Sequence, residues 1–153
     1  MPVRRISVIV TLCDISKDAR CGLGPMQGQM MHFKRHVRKP IPHAIDRYTT
    51  ETRRLYSVLE KQLASSSSGY IISKFMIVDI VFWSMVAASG WAGIDLDEYP
   101  ATSIWYSMLL KRPSVGKGMN VPEPHPIQVL MDDKRERKRK SLKSIVAAGF
   151  YWA

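Results

Sequence analysis

Residues 76–91, MIVDIVFWSMVAASGW, form the longest nearly uninterrupted apolar stretch of the chain, and the fold class depends on where this stretch is buried. A helix that spans a bilayer needs about 17 to 25 apolar residues, whereas this stretch is short and carries the carboxylate of Asp79. A helix that is apolar on all sides is typical of the centre of a globular helical core. We therefore predict a buried helix from about Met76 to Trp91, and no membrane partner.

A long amphipathic helix is predicted before the buried one. Pro40 and Pro42 indicate a helix start, because proline fits the first turn of a helix but not its interior. Apolar or small side chains then recur at steps of three and four residues, as on one helix face: Ile45, Tyr48, Thr52, Leu55, Leu59 and Leu63. The serines and glycine of residues 65–69 favour a loop and end this helix.

A third amphipathic segment follows the buried helix, between Pro100 and Pro113. The residues predicted to face inward are Ile104, Trp105, Met108 and Leu109. Strand-like alternation is nearly confined to residues 7–11. The predicted fold class is therefore all-α, a helical bundle around one buried apolar helix.

Charge is distributed unevenly along the 153 residues, which suffice for one compact domain. The formal net charge is +10, and residues 1–39 and 125–153 carry all of this excess, whereas residues 40–124 are neutral. Nucleic-acid-binding domains usually carry a basic stripe on the folded core, so we do not expect a nucleic-acid partner. The basic run at residues 134–140 is compatible with a solvated helix end, a nuclear localisation patch or a nucleic-acid contact.

The two cysteines, Cys13 and Cys21, have a spacing that fits neither a Cys-x-x-Cys redox motif nor a zinc pair. Two cysteines also form at most one disulfide bond, which cannot by itself stabilise a domain of this size. The basic and apolar start of the chain lacks the small-residue cleavage pattern of a secretory signal. These features favour a reducing compartment, and we predict a cytoplasmic location.

An ordered series of motifs resembles a known family. It comprises GLGPMQGQ at residues 22–29, HF at 32–33, IDRY at 45–48, ETRRLY at 51–56, KFMIVDI at 74–80 and KRPSVGKG at 111–118. In this order they are similar to the C-terminal helical domain of glutathione S-transferases, in the fungal and bacterial nu-like group related to the yeast nitrogen regulator prion protein. The resemblance covers roughly residues 22–135. It implies a glutathione transferase C-terminal-like bundle.

The resemblance also implies a division of the chain into residues 1–21, a helical domain at residues 22–124, and a basic extension at residues 125–153. A thioredoxin-like domain with the residue that activates the glutathione thiol precedes this helical domain in the family. Residues 1–21 are too few to form that domain. We therefore expect no catalytic residue in the chain, and either lost activity or a fragment of a longer product, so that enzymatic activity stays uncertain.

The resemblance places a binding cleft near Gln27, Gln29, His32 and Phe33, and it implies that Arg47 reaches glutathione. An arginine suits a carboxylate because its planar fork bonds both oxygens. The alternative for Arg47 is a solvated ion pair with Glu51, four residues later. His32 and His36 also share one helix face, but no third ligand is evident and no metal site is predicted.

Two functions of different classes follow. The first is a glutathione S-transferase family protein that conjugates glutathione to hydrophobic electrophiles once the cleft is completed, with glutathione as co-substrate and no resident cofactor. The alternative is a non-catalytic helical dimerisation or protein-interaction module. In either case a homo-oligomer is expected, because the surface that faces the thioredoxin-like domain in the family is apolar and large apolar patches favour association.

Overall fold

The computed structural model describes residues 22–121, and every regular element within this range is helical. In chain order the α-helices are α1 (Gly24–Arg35), α2 (Pro42–Ala64), α3 (Ile77–Ala87), α4 (Ser89–Ala92), α5 (Pro100–Leu110) and α6 (Pro113–Gly118), with a 3₁₀ turn at Leu96–Glu98. The predicted all-α fold class is thus confirmed. The terminal segments of the predicted domain division lie outside the described residues.

The core lies between α1, α2, α3 and α5, each of which contributes one face. On α2 the predicted stripe is buried at Thr52, Leu55, Leu59 and Leu63. The buried side chains of the other helices include Met30, Val78, Phe82, Val86, Trp105 and Leu109. Burying aliphatic and aromatic side chains of this size stabilises a fold by about 1.5 to 3 kcal/mol each. The bundle therefore holds together mainly through these apolar contacts.

Two predictions about the apolar helices are wrong in part. The prediction that α3 is buried on all sides fails at Ile77 and Ile80, which are 65% and 48% exposed. The prediction that Ile104 faces inward also fails, because its side chain is 72% exposed. The inward face of α5 is instead set by Thr102, Trp105, Tyr106 and Leu109, which share one side of the helix. Apolar residues thus also cover outer faces of the bundle.

The predicted buried helix is also shorter than expected, since it divides at Ala88 into α3 and α4. Ala88 has a ψ of 4°, outside the helical range. After α4, Gly93 adopts a left-handed conformation with a φ of 78°. Glycine reaches this region without the steric cost of a side chain, so it ends the helix and turns the chain. None of the helices between residues 22 and 121 combines the length and the hydropathy that a membrane span requires.

Asp79 lies in the first turn of α3 and has no exposed surface. Its Oδ1 accepts hydrogen bonds from the Ile71 backbone N–H at 3.1 Å and from Trp105 Nε1 at 3.0 Å. Its Oδ2 accepts from the Met76 backbone N–H at 2.9 Å. A carboxylate at this place also faces the positive end of the helix dipole. One buried side chain therefore joins α3, the loop before it and α5.

Met76 is the residue before α3, at a position where serine and threonine are preferred because their hydroxyl accepts a backbone N–H. A thioether is only a weak acceptor. We expect Met76→Ser to raise the free energy of unfolding by about 0.5 kcal/mol, since a cap contributes roughly 1 kcal/mol and Met76 packs against the core. Thermal unfolding followed by circular dichroism measures the change. Met76→Ala is the control, and equal melting temperatures for the two variants would contradict the cap.

Glu60 is a carboxylate of α2 that caps a different helix. Its Oε1 accepts from the Ala101 backbone N–H at 2.8 Å, and its Oε2 accepts from the Thr102 backbone N–H at 2.8 Å and from Thr102 Oγ1 at 2.7 Å. The first N–H groups of a helix have no partner within the helix. Glu60 supplies that partner and fixes the start of α5 against α2.

Candidate functional site

Gln27, which the family resemblance places near the cleft, lies in the core and is 1% exposed. Its Nε2 donates to the Met85 backbone carbonyl at 2.9 Å, and its Oε1 accepts from the Tyr56 hydroxyl at 3.0 Å. Burial, with a further contribution from Tyr99, raises the pKa of the Tyr56 hydroxyl well above its usual range. The hydroxyl therefore stays protonated and donates. Gln27 joins α1, α2 and α3, and its amide has no exposed surface for a ligand.

Four aromatic side chains meet where α1 ends and α2 begins, and we call them the aromatic cluster: His32, Phe33, His36 and Tyr48. The rings of Phe33 and Tyr48 stack at a centroid distance of 5.4 Å and an angle of 10°. His32 lies edge to face with Phe33 at 5.3 Å and is stacked with His36 at 6.1 Å. Both histidines are exposed, so the cluster presents ring faces and imidazole nitrogens to solvent.

Tyr48, like His36, is a member of the cluster that the sequence motifs did not mark as a binding residue. Its position in the periodic stripe of α2 predicted a core residue, and the structure packs it, half-buried, against the core and stacks it on Phe33. Tyr48 follows Arg47 in the IDRY motif, and the prediction for Arg47 had already indicated this end of α2. The structure brings His32 and Phe33 together with Tyr48.

Arg47 is exposed at this end of α2. The alternative proposed for it, an ion pair with Glu51, is not what the structure shows. Glu51 Oε1 accepts from Arg54 Nη2 at 2.7 Å and Oε2 accepts from Arg54 Nε at 2.9 Å. This hydrogen bond lowers the pKa of the Glu51 carboxyl. Within residues 22–121 Arg47 makes no ion pair.

Gln29 is exposed on α1, three residues before His32. Residues three or four apart lie on the same face of a helix, so Gln29, His32 and Phe33 share one side of α1. Gln27 does not, because its side chain points into the core. No group of three side chains able to hold a metal ion occurs among the residues that the structure describes.

The last turn of α1, which carries the cluster, is anchored to α4 by Arg35. Its Nε donates to the Trp91 backbone carbonyl at 2.8 Å, its Nη2 donates to the same oxygen, and its guanidinium lies 4.8 Å from the centroid of the Trp91 ring. Burial lowers the pKa of the Arg35 guanidinium. The pKa of Lys34 is lowered by burial and then by the charges of Arg53 and Arg35. These cations suit the carbonyl end of a helix, where the dipole is negative.

The side chains at this end of the bundle suit a ligand that has an apolar part and a negative charge. Aromatic faces bind apolar or cationic groups, imidazole nitrogens exchange hydrogen bonds, and an unpaired guanidinium attracts a carboxylate. The cluster joins α1 to α2 through the stack of Phe33 and Tyr48, and Arg47 is the residue before Tyr48 on α2. This end is the candidate binding site.

No protein-family profile matches the chain. It is 42% identical over 100 residues to the disulfide-bond oxidoreductase YfcG of Escherichia coli K12. This match covers 64% of the chain and 45% of YfcG. A crystal structure of a glutathione transferase homolog from Lodderomyces elongisporus, with two glutathione molecules per subunit, matches with a TM-score of 0.67 at 31% identity. The match covers 71% of this chain and 52% of that one.

The nitrogen regulation fragment of the yeast prion protein Ure2p matches with a TM-score of 0.66 at 28% identity, covering 71% of this chain and 52% of that one. The chain therefore spans about half the length of the relatives that it matches. The described helices have the fold of the C-terminal helical half of glutathione-transferase-like proteins. The likeness to glutathione-transferase-like proteins that the motifs suggested is thus confirmed.

Proposed function

We propose that the chain supplies the helical half of a protein that binds glutathione and conjugates it to hydrophobic electrophiles. The observation that supports the proposal is the aromatic cluster, in which Tyr48 directly follows Arg47 in the sequence, on a fold that is shared with a homolog solved with two glutathione molecules per subunit. In this proposal Arg47 bonds a glutathione carboxylate, because its fork matches both oxygens.

The other proposed contacts follow from the exposed side of α1. Gln29 and His32 offer hydrogen bonds to the peptide groups of glutathione, and Phe33 offers an apolar face to the electrophile. Gln27 has a positioning role, since its buried amide holds α1 against α2 and α3. No resident metal or cofactor enters the proposal; glutathione is the co-substrate.

The chemical step requires a thiolate, because the thiolate and not the thiol is the nucleophile. Some group must lower the pKa of the glutathione thiol by stabilising its charged form. We assign this group to a thioredoxin-like half outside residues 22–121. The described helices then bind and orient the two substrates without taking part in proton transfer.

The test joins the full chain to the N-terminal half of the E. coli relative and measures glutathione binding by calorimetry. We expect Arg47→Ala in this fusion to weaken binding about 10- to 100-fold, which corresponds to roughly 1.5 to 3 kcal/mol for a hydrogen bond between charged groups. Arg47→Lys should recover only part of the affinity, because an ammonium lacks the planar fork.

The matched control is Arg54→Ala, which removes an arginine of the same helix that is already engaged by Glu51. We expect less than a twofold change for this variant. Equal affinities for the Arg47→Ala fusion and the parent fusion would overturn the role of Arg47. Turnover of a generic aromatic electrophile by the unfused chain, at rates well beyond the spontaneous reaction, would overturn the assignment of the thiol-activating group.

A second candidate function is a helical interaction or dimerisation module, and the exposed side chains of Ile77 and Ile104 favour it. Contiguous exposed apolar patches promote association. Light scattering at several concentrations would then show a homo-oligomer that Ile77→Lys disrupts without change in helical content. Both proposals place the protein in the cytoplasm, because its two cysteines do not have the pattern of a disulfide-bonded protein from an oxidising compartment.

A further inference from the structure

Two exposed histidines lie one turn apart at the end of α1. The backbone N–H of His36 donates to the His32 carbonyl at 2.9 Å, so the helical hydrogen-bond pattern continues to His36. Residues four apart lie one above the other on a helix. The two imidazole rings are accordingly stacked, with centroids 6.1 Å apart and an angle of 24° between their planes. Both side chains are exposed, so an ion in solution can reach them.

This arrangement of the two rings is close to that of a metal chelate. Zn–N bonds are about 2.0 to 2.1 Å long, so two imidazoles that bind one ion at a tetrahedral angle have centroids roughly 5 Å apart. The observed distance of 6.1 Å exceeds this value by about 1 Å. The terminal torsion of a histidine side chain has a broad range, so a small rotation of one ring brings the two nitrogens to one ion.

We propose that His32 and His36 bind a divalent transition-metal ion such as Zn²⁺, with water in the remaining coordination positions. Imidazole nitrogen is a ligand that suits Zn²⁺, Cu²⁺ and Ni²⁺. The sequence predicts no metal site because no third ligand is evident, but an ion held by two imidazoles needs none from the protein when solvent completes its coordination. This inference goes beyond the proposed function, and its test requires no glutathione.

The electrostatics at this end of α1 favour a cation. His36 directly follows the last residue of α1, where the carbonyl end of the helix dipole is negative. Arg35 donates to the Trp91 carbonyl of α4. Lys34 is two positions from each histidine and does not share their side of the helix; its Nζ lies 3.8 Å from where a Cβ would stand at Gly93. Both of these cations therefore lie on the α4 side of α1.

The aromatic cluster restrains one of the two ligands before metal binds. The His32 ring lies edge to face with Phe33 at 5.3 Å, and Phe33 is stacked on Tyr48 of α2. A side chain that is already ordered loses less conformational entropy when it binds a ligand. His32 is thus the prepared ligand, and rotation of the His36 ring completes the chelate.

Calorimetric titration of the full chain with Zn²⁺ tests the site, at about pH 7.5 because the ligands must be deprotonated. Cys13→Ser and Cys21→Ser are present in every variant, since thiolates also bind Zn²⁺. We expect a Kd below about 100 µM for this parent. His32→Ala and His36→Ala should each weaken binding at least about tenfold, because removing a residue that merely supports a metal ligand already costs about 10- to 100-fold.

The matched control is His43→Ala. His43 is exposed on α2 and forms no group of three potential metal ligands with the pair among residues 22–121. We expect its replacement to change the affinity less than about twofold, because it removes an imidazole but no ligand of the proposed ion.

Moving a histidine while the number of histidines stays constant tests the spacing itself. In His36→Ala combined with Gln29→His, the new histidine shares the side of α1 that carries His32, and the affinity should return to within about fivefold of the parent. In His36→Ala combined with Lys34→His, the new histidine lies on another side and binding should stay weak. Circular dichroism checks that the variants keep equal helical content. A parent Kd above about 100 µM, equal affinities of the parent and His32→Ala, or parent-like affinity of the Lys34→His variant would each overturn the proposal.

Discussion

Asp79→Ala is expected to lower the free energy of unfolding by about 3 to 5 kcal/mol, the range for breaking a buried charged network. Asp79 accepts three hydrogen bonds and is fully buried, so its removal leaves the donors of Ile71, Met76 and Trp105 without a partner. An unsatisfied buried donor costs about 1 to 3 kcal/mol. Urea unfolding followed by circular dichroism measures the loss.

The control for this prediction is Asp95→Ala. Asp95 is exposed and its Oδ1 accepts one hydrogen bond, from the Asp97 backbone N–H at 3.0 Å. Loss of such a cap costs about 1 kcal/mol. Trp105→Phe, which removes a single donor and leaves the carboxylate with two, should lie between the two aspartate variants. A loss below 1.5 kcal/mol for Asp79→Ala would show that the three hydrogen bonds contribute far less than their burial indicates.

Glu60→Ala is expected to cost about 2 to 3 kcal/mol, because the first turn of α5 loses a cap with three hydrogen bonds to a charged group. Glu60 is only partly buried, so water replaces some of these bonds and the expected loss is smaller than for Asp79. The change in melting temperature, at roughly 4 to 8 °C for each kcal/mol, measures the effect.

The matched control is Glu98→Ala. Glu98 forms an exposed ion pair with Arg53 at 3.5 Å, and such pairs contribute about 0 to 1 kcal/mol. Glu60→Gln should fall between the two, since a neutral amide oxygen still accepts one backbone N–H. If Glu60→Ala and Glu98→Ala had equal melting temperatures, the capping role of Glu60 would be refuted.

The long helix α2 was predictable because its signals are local. Two prolines precede it, apolar residues recur at helical spacing, and serines and glycine follow it. The same spacing did not reveal which apolar residues of α3 and α5 face outward, because neither helix carries a charged side chain on its surface to mark the outer face. Ile104 was therefore assigned to the core although it is largely exposed.

The candidate site was predictable only as a region. The motifs at residues 32–33 and 45–48 pointed to the end of α1 and the start of α2, but no spacing rule connects residues on two helices. The stacking of Phe33 on Tyr48 and the engagement of Glu51 by Arg54 instead of Arg47 are visible only in three dimensions. Gln27 was predicted to lie near the binding cleft because of its position in a motif. In the structure it is buried and links three helices by hydrogen bonds.

The all-helical class and the main helix positions follow from the sequence alone, because periodicity, proline and glycine signals act over a few residues, and the ordered motifs carry the likeness to glutathione transferases. Only the tertiary structure decided how the polar groups of the bundle are satisfied. Asp79 meets Trp105 across 26 positions, and Glu60 caps a helix that starts 40 positions later. Such partners are chosen by packing, since a buried polar group is stable only beside a group that the folded chain brings to it.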